Sequence, residues 1–202
     1  MEASTFTVRL DELLRAGQYE DAACLLDEAE LERDDAAADE AVLKEWPSAL
    51  HILCLILSDR LADARFLYKR LPQPCAALDE VQAAWTVLRL LWQQKHSEVW
   101  AVLQRAPWSP RAAAAAAALT EKLRGEVAAL LGKAYTTLGL AKAAGVLGLS
   151  EAEAAAAAQR LGWELDPGAG LLRLPRARLA AEAHGAGSRL QQLVDYVVHL
   201  EQ

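Results

Sequence analysis

The 202-residue sequence lacks the residue patterns that mark most enzymes and metal-binding proteins. It contains no H-E-x-x-H pair, no glycine-rich phosphate loop and no nucleophile elbow, motifs that hold reactive groups at a fixed spacing. Asp59 and Asp63 lie one helical turn apart, but arginines flank both, which favours a surface ion-pair cluster over acid–base carboxylates. The histidines share no ligand spacing: His51, His96, His184 and His199. We therefore expect no catalytic residue, no metal ion and no cofactor.

Cysteines are also scarce, and the three present, Cys24, Cys54 and Cys75, include no C-x-x-C pair. Cys24 and Cys54 lie within apolar helical patterns, so we expect buried free thiols in a reducing compartment. No signal peptide opens the chain, and the longest apolar segment, Leu50 to Leu57, is far too short to cross a bilayer. These features predict no membrane partner.

Few basic side chains occur in the first 45 residues of the chain. Residues 1–45 hold 14 acidic against 4 basic side chains, and the remaining residues hold 14 against 17, so the net charge of −7 is a property of the N-terminal segment. An acidic segment repels phosphate and anionic lipid. The first 45 residues are therefore not expected to bind nucleic acid or membrane surfaces.

Long alternating runs of Val, Ile and Thr are absent, whereas Ala and Leu are abundant, which predicts a mostly α protein. Apolar residues at spacings of three and four suggest a helical-repeat superhelix in the first two thirds of the chain. Trp46 and Trp108, next to prolines, are the tryptophans expected at interfaces. The predicted helices are Val8–Ala16, Tyr19–Glu30, Ser48–Leu57, Leu61–Leu71, Asp79–Gln93 and a short helix capped by Ser97.

The last third predicts a winged helix. A long helix, Leu119–Leu138, carries one apolar stripe that includes Leu130, and a short helix follows over Leu140–Leu147. Ser150 and Glu153 form a capping box that begins the next helix, which ends near Gly162. A two-stranded wing then follows, with strands Trp163–Asp166 and Leu171–Leu174 joined by a Pro-Gly-Ala-Gly turn.

The helix over residues 151–161, which would read DNA in such a module, offers glutamates and alanines instead of a basic face. This composition favours protein–protein assembly. The basic residues near the wing, Arg173, Arg176 and Arg178, fit a solvated edge better than phosphate contacts.

The final segment, residues 188–202, predicts a helix that is apolar over more than half of its circumference, preceded by a glycine-containing hinge. Such a helix must be covered, either by its own domain or by a bundle of helices from several chains. The wing strand and this helix are the candidate interaction surfaces. Their residues are Leu171, Leu172, Arg173, Leu174, Leu190, Leu193, Val194, Val197, Val198 and Leu200.

Several stretches, in this order and spacing, resemble those of one known family. They are Ala64–Pro72 (Ala-Arg-aromatic-Leu-aromatic-Lys-Arg-aliphatic-Pro), the Trp-rich Trp85–Gln93, Ala134–Thr136, Gly162–Trp163, and Asp195–Val197 with Leu200 and Glu201. The chain is similar, over roughly residues 46–202, to the subunit-eight family of the COP-nine (constitutive photomorphogenesis nine) signalosome.

This resemblance implies a PCI domain, a helical-repeat superhelix that ends in a winged helix. Together with the charge and hydropathy patterns, it divides the chain into an acidic helical segment (1–45), the repeat part (46–118), the winged helix (119–176), a linker (177–187) and a C-terminal bundle helix (188–202). It also implies a non-catalytic scaffold subunit, in the nucleus and cytoplasm, of the complex that removes Nedd8 from the cullins of cullin-RING ubiquitin ligases.

The implied partners are other signalosome subunits, above all the adjacent PCI subunit three and a shared bundle of C-terminal helices, with cullin-RING ligases bound indirectly. No small-molecule ligand and no nucleic acid are expected. Two alternatives remain at this stage. One is the small PCI subunit of the proteasome regulatory lid, and the other is a winged-helix nucleic-acid-binding protein.

Overall fold

The computed structural model describes residues 3–32, 46–166 and 168–175, and this part of the chain is mostly helical, as the sequence predicts. The elements are α1 (Ala3–Ala16), α2 (Tyr19–Leu31), α3 (Ser48–Leu57), α4 (Leu61–Arg70), α5 (Gln73–Ala76), α6 (Asp79–Trp92), α7 (His96–Arg105), α8 (Pro110–Ala134), β1 (Thr137–Gly139), α9 (Leu140–Leu147), α10 (Glu151–Arg160), β2 (Glu164–Asp166) and β3 (Leu171–Arg173). The predicted C-terminal helix, residues 188–202, lies outside the described residues, as do residues 33–45.

Helix α3 is the centre of the larger of two hydrophobic cores. Every residue from Ser48 to Ile56 is buried, and α2, α4, α6 and α8 pack around it. A helix that is apolar nearly all round must be covered on all sides, so the sequence places α3 at the centre. None of the described helices combines the length and the apolar character that a membrane span needs.

Helix α8 connects the two cores. The first core extends to Leu123, and the second begins one turn later at Val127. The helix is 25 residues long and begins before the predicted Leu119, because Pro110 suits a first turn and the alanine tract strongly favours helix. No break in the helix separates the two parts of the chain.

The predicted extension of this helix to Leu138 is wrong. The helix ends at Ala134, and Leu138 lies in β1, which pairs with β3. The sheet therefore has three strands in the order β1–β3–β2 rather than the predicted two. Leu138 is buried in the second core, and an apolar residue at this position is compatible with a buried strand as well as with a further helical turn.

Trp100 of α7 joins the two cores. Its indole Nε1 donates a hydrogen bond of 3.0 Å to the carbonyl oxygen of Val146, and the Arg124 guanidinium lies 5.7 Å from its ring centre. Gly148, which ends α9, has φ +63° and contacts the indole, and a Cβ at this position would lie 2.3 Å from Trp100 Cγ. Only glycine allows both this conformation and this close approach.

The cysteines depart from the sequence prediction in one respect. Cys54 and Cys75 are buried, but Cys24 is exposed. Helix α2 buries Ala22, Ala23, Leu25 and Leu26, and Cys24 lies on the opposite face of this short helix. Burial raises the pKa of the Cys54 thiol to about 12, so this thiol stays protonated at neutral pH.

Candidate protein-interaction surface

The three-stranded sheet carries the candidate wing residues. Leu172 is fully buried and Leu174 nearly so, whereas Leu171 is 41% exposed and Arg173 also faces solvent. This follows from the two-residue period of a strand. Leu171 and Arg173 are therefore available to a partner, and Leu172 and Leu174 contribute to the second core.

Strand β3 lies in the middle of the sheet, paired with β1 on one side and β2 on the other. Its backbone groups are therefore engaged within the chain. Within the described residues, the outer edges of β1 and β2 are the places where a strand of another chain could pair. The sequence identified β3 as a strand but contained no sign of this central position.

The basic cluster predicted near the wing is only partly described. Arg173 lies opposite Glu164 in the β2–β3 register, and facing charges of opposite sign attract across neighbouring strands. Arg176 and Arg178 lie outside the described residues.

Helix α10 has the predicted capping box. Ser150 Oγ accepts a 3.3 Å hydrogen bond from the Glu153 amide, and Glu153 Oε2 accepts a 2.9 Å bond from the Ser150 amide. The hydrogen bond from the Ser150 backbone lowers the pKa of the Glu153 carboxyl. The helix start is thereby fixed, and Glu153 remains ionised at neutral pH.

The exposed face of α10 is small and weakly acidic. Ala154 and Ala158 pack inward, and the exposed positions are Glu151, Ala152, Glu153, Ala156, Gln159 and Arg160. A base-reading helix presents Arg, Lys, Asn or Gln to the groove and cations to phosphates. Within α10, a single arginine and a single glutamine meet that description, so the face suits contact with another protein better.

Further apolar side chains around this sheet are exposed. Leu130, predicted to belong to the buried stripe of α8, is 57% exposed because the stripe runs through Leu123, Val127 and Leu131 instead. Tyr135 and Leu161 are exposed as well. The predicted tail residues Leu190, Leu193, Val194, Val197, Val198 and Leu200 lie outside the described residues.

One tryptophan departs from the sequence prediction, and two others are partly buried. Trp46 and Trp108, expected at interfaces, are partly buried against the first core. Trp92, expected on the core-facing side of α6, is 54% exposed. It is the last residue of the helix, where a small rotation of the apolar stripe is enough to turn a side chain outward.

One cluster of side chains has the composition of a metal site: Asp27 and Glu30 of α2 with His51 of α3. His51 is 0% exposed, and its Nε2 lies 3.0 Å from Asp27 Oδ1 and its Nδ1 3.8 Å from Glu30 Oε2. Two guanidiniums bind the same carboxylates: Arg70 to Glu30 at 2.7 Å and Arg60 to Asp27 at 3.3 Å. The carboxylate charges are thus already balanced, and the cluster fits an ion-pair network that joins α2 to α3 and α4.

This network predicts acid sensitivity. Burial lowers the pKa of His51, against the opposing effects of Asp27 and Glu30, so the folded chain holds a neutral imidazole. Below about pH 6.5 the unfolded chain then binds more protons than the folded chain does. The free energy of unfolding therefore decreases as the pH is lowered through this range. We expect urea denaturation to show this slope between about pH 7 and pH 5 in the unaltered chain, and a shallower one in H51Q. The same pH dependence of the free energy of unfolding in the unaltered chain and in H51Q would contradict the prediction that His51 causes it.

Comparison with known proteins finds one matching family model and several similar proteins. It matches the model of the CSN8/PSMD8/EIF3K family over residues 42–182. It is 31% identical over 158 residues to the COP9 signalosome complex subunit 8 of Arabidopsis thaliana, covering 78% of this chain and 80% of that protein. The subunit 8 of Danio rerio is 29% identical over 160 residues, 76% and 81% of the two chains. The family match includes every element from α3 to β3.

Proposed function

Because the chain belongs to the CSN8/PSMD8/EIF3K family, we propose that it is a subunit of the COP9 signalosome and serves in the assembly of that complex. The relatives compared above are named as a subunit of this complex, and the prediction that the chain is not itself an enzyme agrees with those names. In this proposal, Nedd8 is removed from cullins by another chain, and this subunit acts in the nucleus and the cytoplasm.

The observation that carries the proposal is the exposed face of α10. The order of elements from α8 to β3 fits a winged helix, yet the helix that would enter a DNA groove presents two glutamates, alanines, one glutamine and a single arginine to solvent. Phosphate would be repelled from this face. The same small side chains let a partner's backbone come close, which favours a protein interface.

The proposed interface on this subdomain is the solvent face of the sheet and its outer edge at β2. Leu171, the first residue of β3, supplies an exposed apolar contact whose neighbours on the sheet, Asp166 opposite it and Arg173 two residues later, are polar. An apolar centre with a polar rim is the usual composition of a specific interface. A partner of the same PCI architecture, proposed here to be subunit three, would bring a strand edge to β2.

L171E is expected to weaken this contact without unfolding the chain. A buried carboxylate at an interface costs several kcal/mol of binding, whereas a substitution at an exposed position changes stability by roughly 0.5 kcal/mol or less. Co-purification of partner subunits should fall at least about tenfold. V8E, at an exposed position of α1, is the control and should retain its partners. Normal recovery with L171E would remove Leu171 from the interface.

The proposed function is tested by affinity purification of the tagged chain from its own cells, followed by mass spectrometry. Signalosome subunits in stoichiometric amounts, with cullin-RING ligases as weaker partners, are the expected result. Subunits of the proteasome lid would instead assign the chain to that complex. Recovery of the chain alone, or salt-sensitive binding to DNA, would contradict the assembly role.

A further inference from the structure

A groove on the opposite part of the chain is not accounted for by assembly through the sheet. It lies between α4 and α6 and has a volume of about 210 Å³. Leu88, which is buried, forms its base, Trp85 and Trp92 form its sides, and Arg65 and Arg89 are exposed at its margin. Tryptophan and arginine are the side chains most enriched among residues that dominate binding energy at protein interfaces.

The Trp85 side of the groove is held in place by its neighbours. The indole stacks on Tyr68 with a distance of 4.1 Å between ring centres and an angle of 7° between ring planes. Gln82 Nε2 donates to Tyr68 Oη at 3.0 Å and to the carbonyl oxygen of Ala76 at 2.6 Å. A wall that is ordered before binding loses little entropy when a ligand arrives.

Trp92 is held in a different way. The Arg65 guanidinium lies 5.5 Å from the centre of its ring, a cation–π contact that orients both side chains. Half of the Trp92 side chain nevertheless remains in contact with water, and the next residue after Arg65, Phe66, is also exposed. A large aromatic side chain left exposed beside a groove favours a docking surface.

The charge at the margin indicates what docks there. The neighbouring Arg60 and Arg70 bind carboxylates of the chain itself, but neither Arg65 nor Arg89 has an ion-pair partner among the described residues. No carboxylate lines the groove. Electrostatic complementarity therefore requires acidic groups from the ligand.

The size of the groove indicates how much of the ligand enters. Sites for whole small molecules occupy roughly 300–1,000 Å³, more than this groove offers, whereas one large apolar side chain fits. We propose that the groove binds a segment of a partner protein in which one leucine, methionine or aromatic side chain is flanked by aspartate or glutamate. Single-stranded nucleic acid suits it less well, because Arg65 covers one face of Trp92 and the chain has a net charge of −7.

The test follows the indole N–H signals of the full chain by NMR, with the Trp85 and Trp92 signals assigned from W85F and W92F. The probes are four eight-residue peptides, each with a single central Leu, Met, Phe or Trp among aspartates and glutamates. At least one should shift both signals with a Kd below about 1 mM, the range of a weak contact. The same peptide with glycine at the centre, or with glutamines in place of its acids, should bind at least tenfold more weakly.

R65E and R89E should each weaken binding about tenfold by replacing attraction with repulsion, while the thermal unfolding midpoint stays unchanged because both side chains are exposed. R105E, an exposed arginine of α7 away from the groove, is the matched control and should bind normally. Absence of a shift with all four peptides would overturn the proposal, as would equal binding of the glutamine peptide.

Two further outcomes would also overturn it. One is a stronger shift with an oligo-uridine than with any peptide, which would assign the groove to single-stranded nucleic acid. The other is a shift of both signals when residues 33–45 are replaced by a glycine–serine linker of equal length. That result would mean that the chain's own acidic segment occupies the groove.

Discussion

Replacing Gly148 by alanine is expected to reduce the free energy of unfolding by about 2–5 kcal/mol. The left-handed backbone at φ +63° disfavours a side chain, and the new Cβ would lie 2.3 Å from Cγ of Trp100. The indole would have to move, which would break its 3.0 Å hydrogen bond to the Val146 carbonyl. Urea denaturation of G148A, followed by circular dichroism, measures the loss.

Gly145 provides the matched control three residues earlier. It lies inside α9, and nothing lies within 4 Å of a Cβ built there. Alanine favours helix over glycine by roughly 0.8–1.0 kcal/mol, so G145A should be as stable as the unaltered chain or slightly more so. If G148A and G145A had the same denaturation midpoint, the contact between Trp100 and Gly148 would not hold the two cores together.

The second large effect is expected in the sheet, from L172A. Leu172 is fully buried at the centre of β3, and truncation of a buried leucine costs about 2–5 kcal/mol through lost burial and the remaining cavity. L171A removes the same atoms from an adjacent, 41% exposed position and should cost roughly 0.5 kcal/mol or less. Thermal unfolding of both variants makes the comparison.

Comparison of L172A with L171A also separates an effect on the stability of the chain from an effect on the binding of partner subunits. L172A should lose thermal stability and, once it is folded at low temperature, should still bind partner subunits, whereas L171A should be stable and bind them less well. Equal losses of stability in the two variants would contradict the alternation of buried and exposed side chains along β3.

Much of the helical architecture could be predicted from the sequence because it depends on local patterns. Helix α3 was assigned within its observed bounds from an unbroken apolar run after Pro47, and the start of α10 from the Ser150–Glu153 capping box. Both signals act within one or two helical turns. They do not depend on what the rest of the chain does.

The predictions from sequence are wrong where tertiary contacts determine the secondary structure or the burial of a residue. Strand β1 has three residues and forms only because β3 returns beside it. The residues around Leu138 therefore contain no local pattern that predicts a strand. Leu130 and Trp92 are as apolar as their buried neighbours, and their exposure depends on which side of α8 or α6 meets another helix. The groove beside Trp92 could not be predicted for the same reason, since it forms only where Arg65 of α4 lies against the tryptophans of α6.

The candidate interaction residues show the same limit. The sequence assigned Leu171–Leu174 to one surface, but the pleat divides them between the core and solvent. The central position of β3 reflects its pairing with a strand more than thirty residues earlier. The predictions for residues 188–202 and for the domain boundaries remain predictions.

Helix α8, at about 1.5 Å per residue, makes a rod of roughly 37 Å shared by both cores. Together with Trp100, it fixes the distance between the sheet and the groove beside Trp92. A partner that has bound one of these surfaces holds its remaining segments near the other at an effective concentration in the millimolar range for short linkers. Two contacts that are weak alone would then give a long-lived attachment, and avidity, more than the strength of either contact, would determine how long the chain remains in its complex.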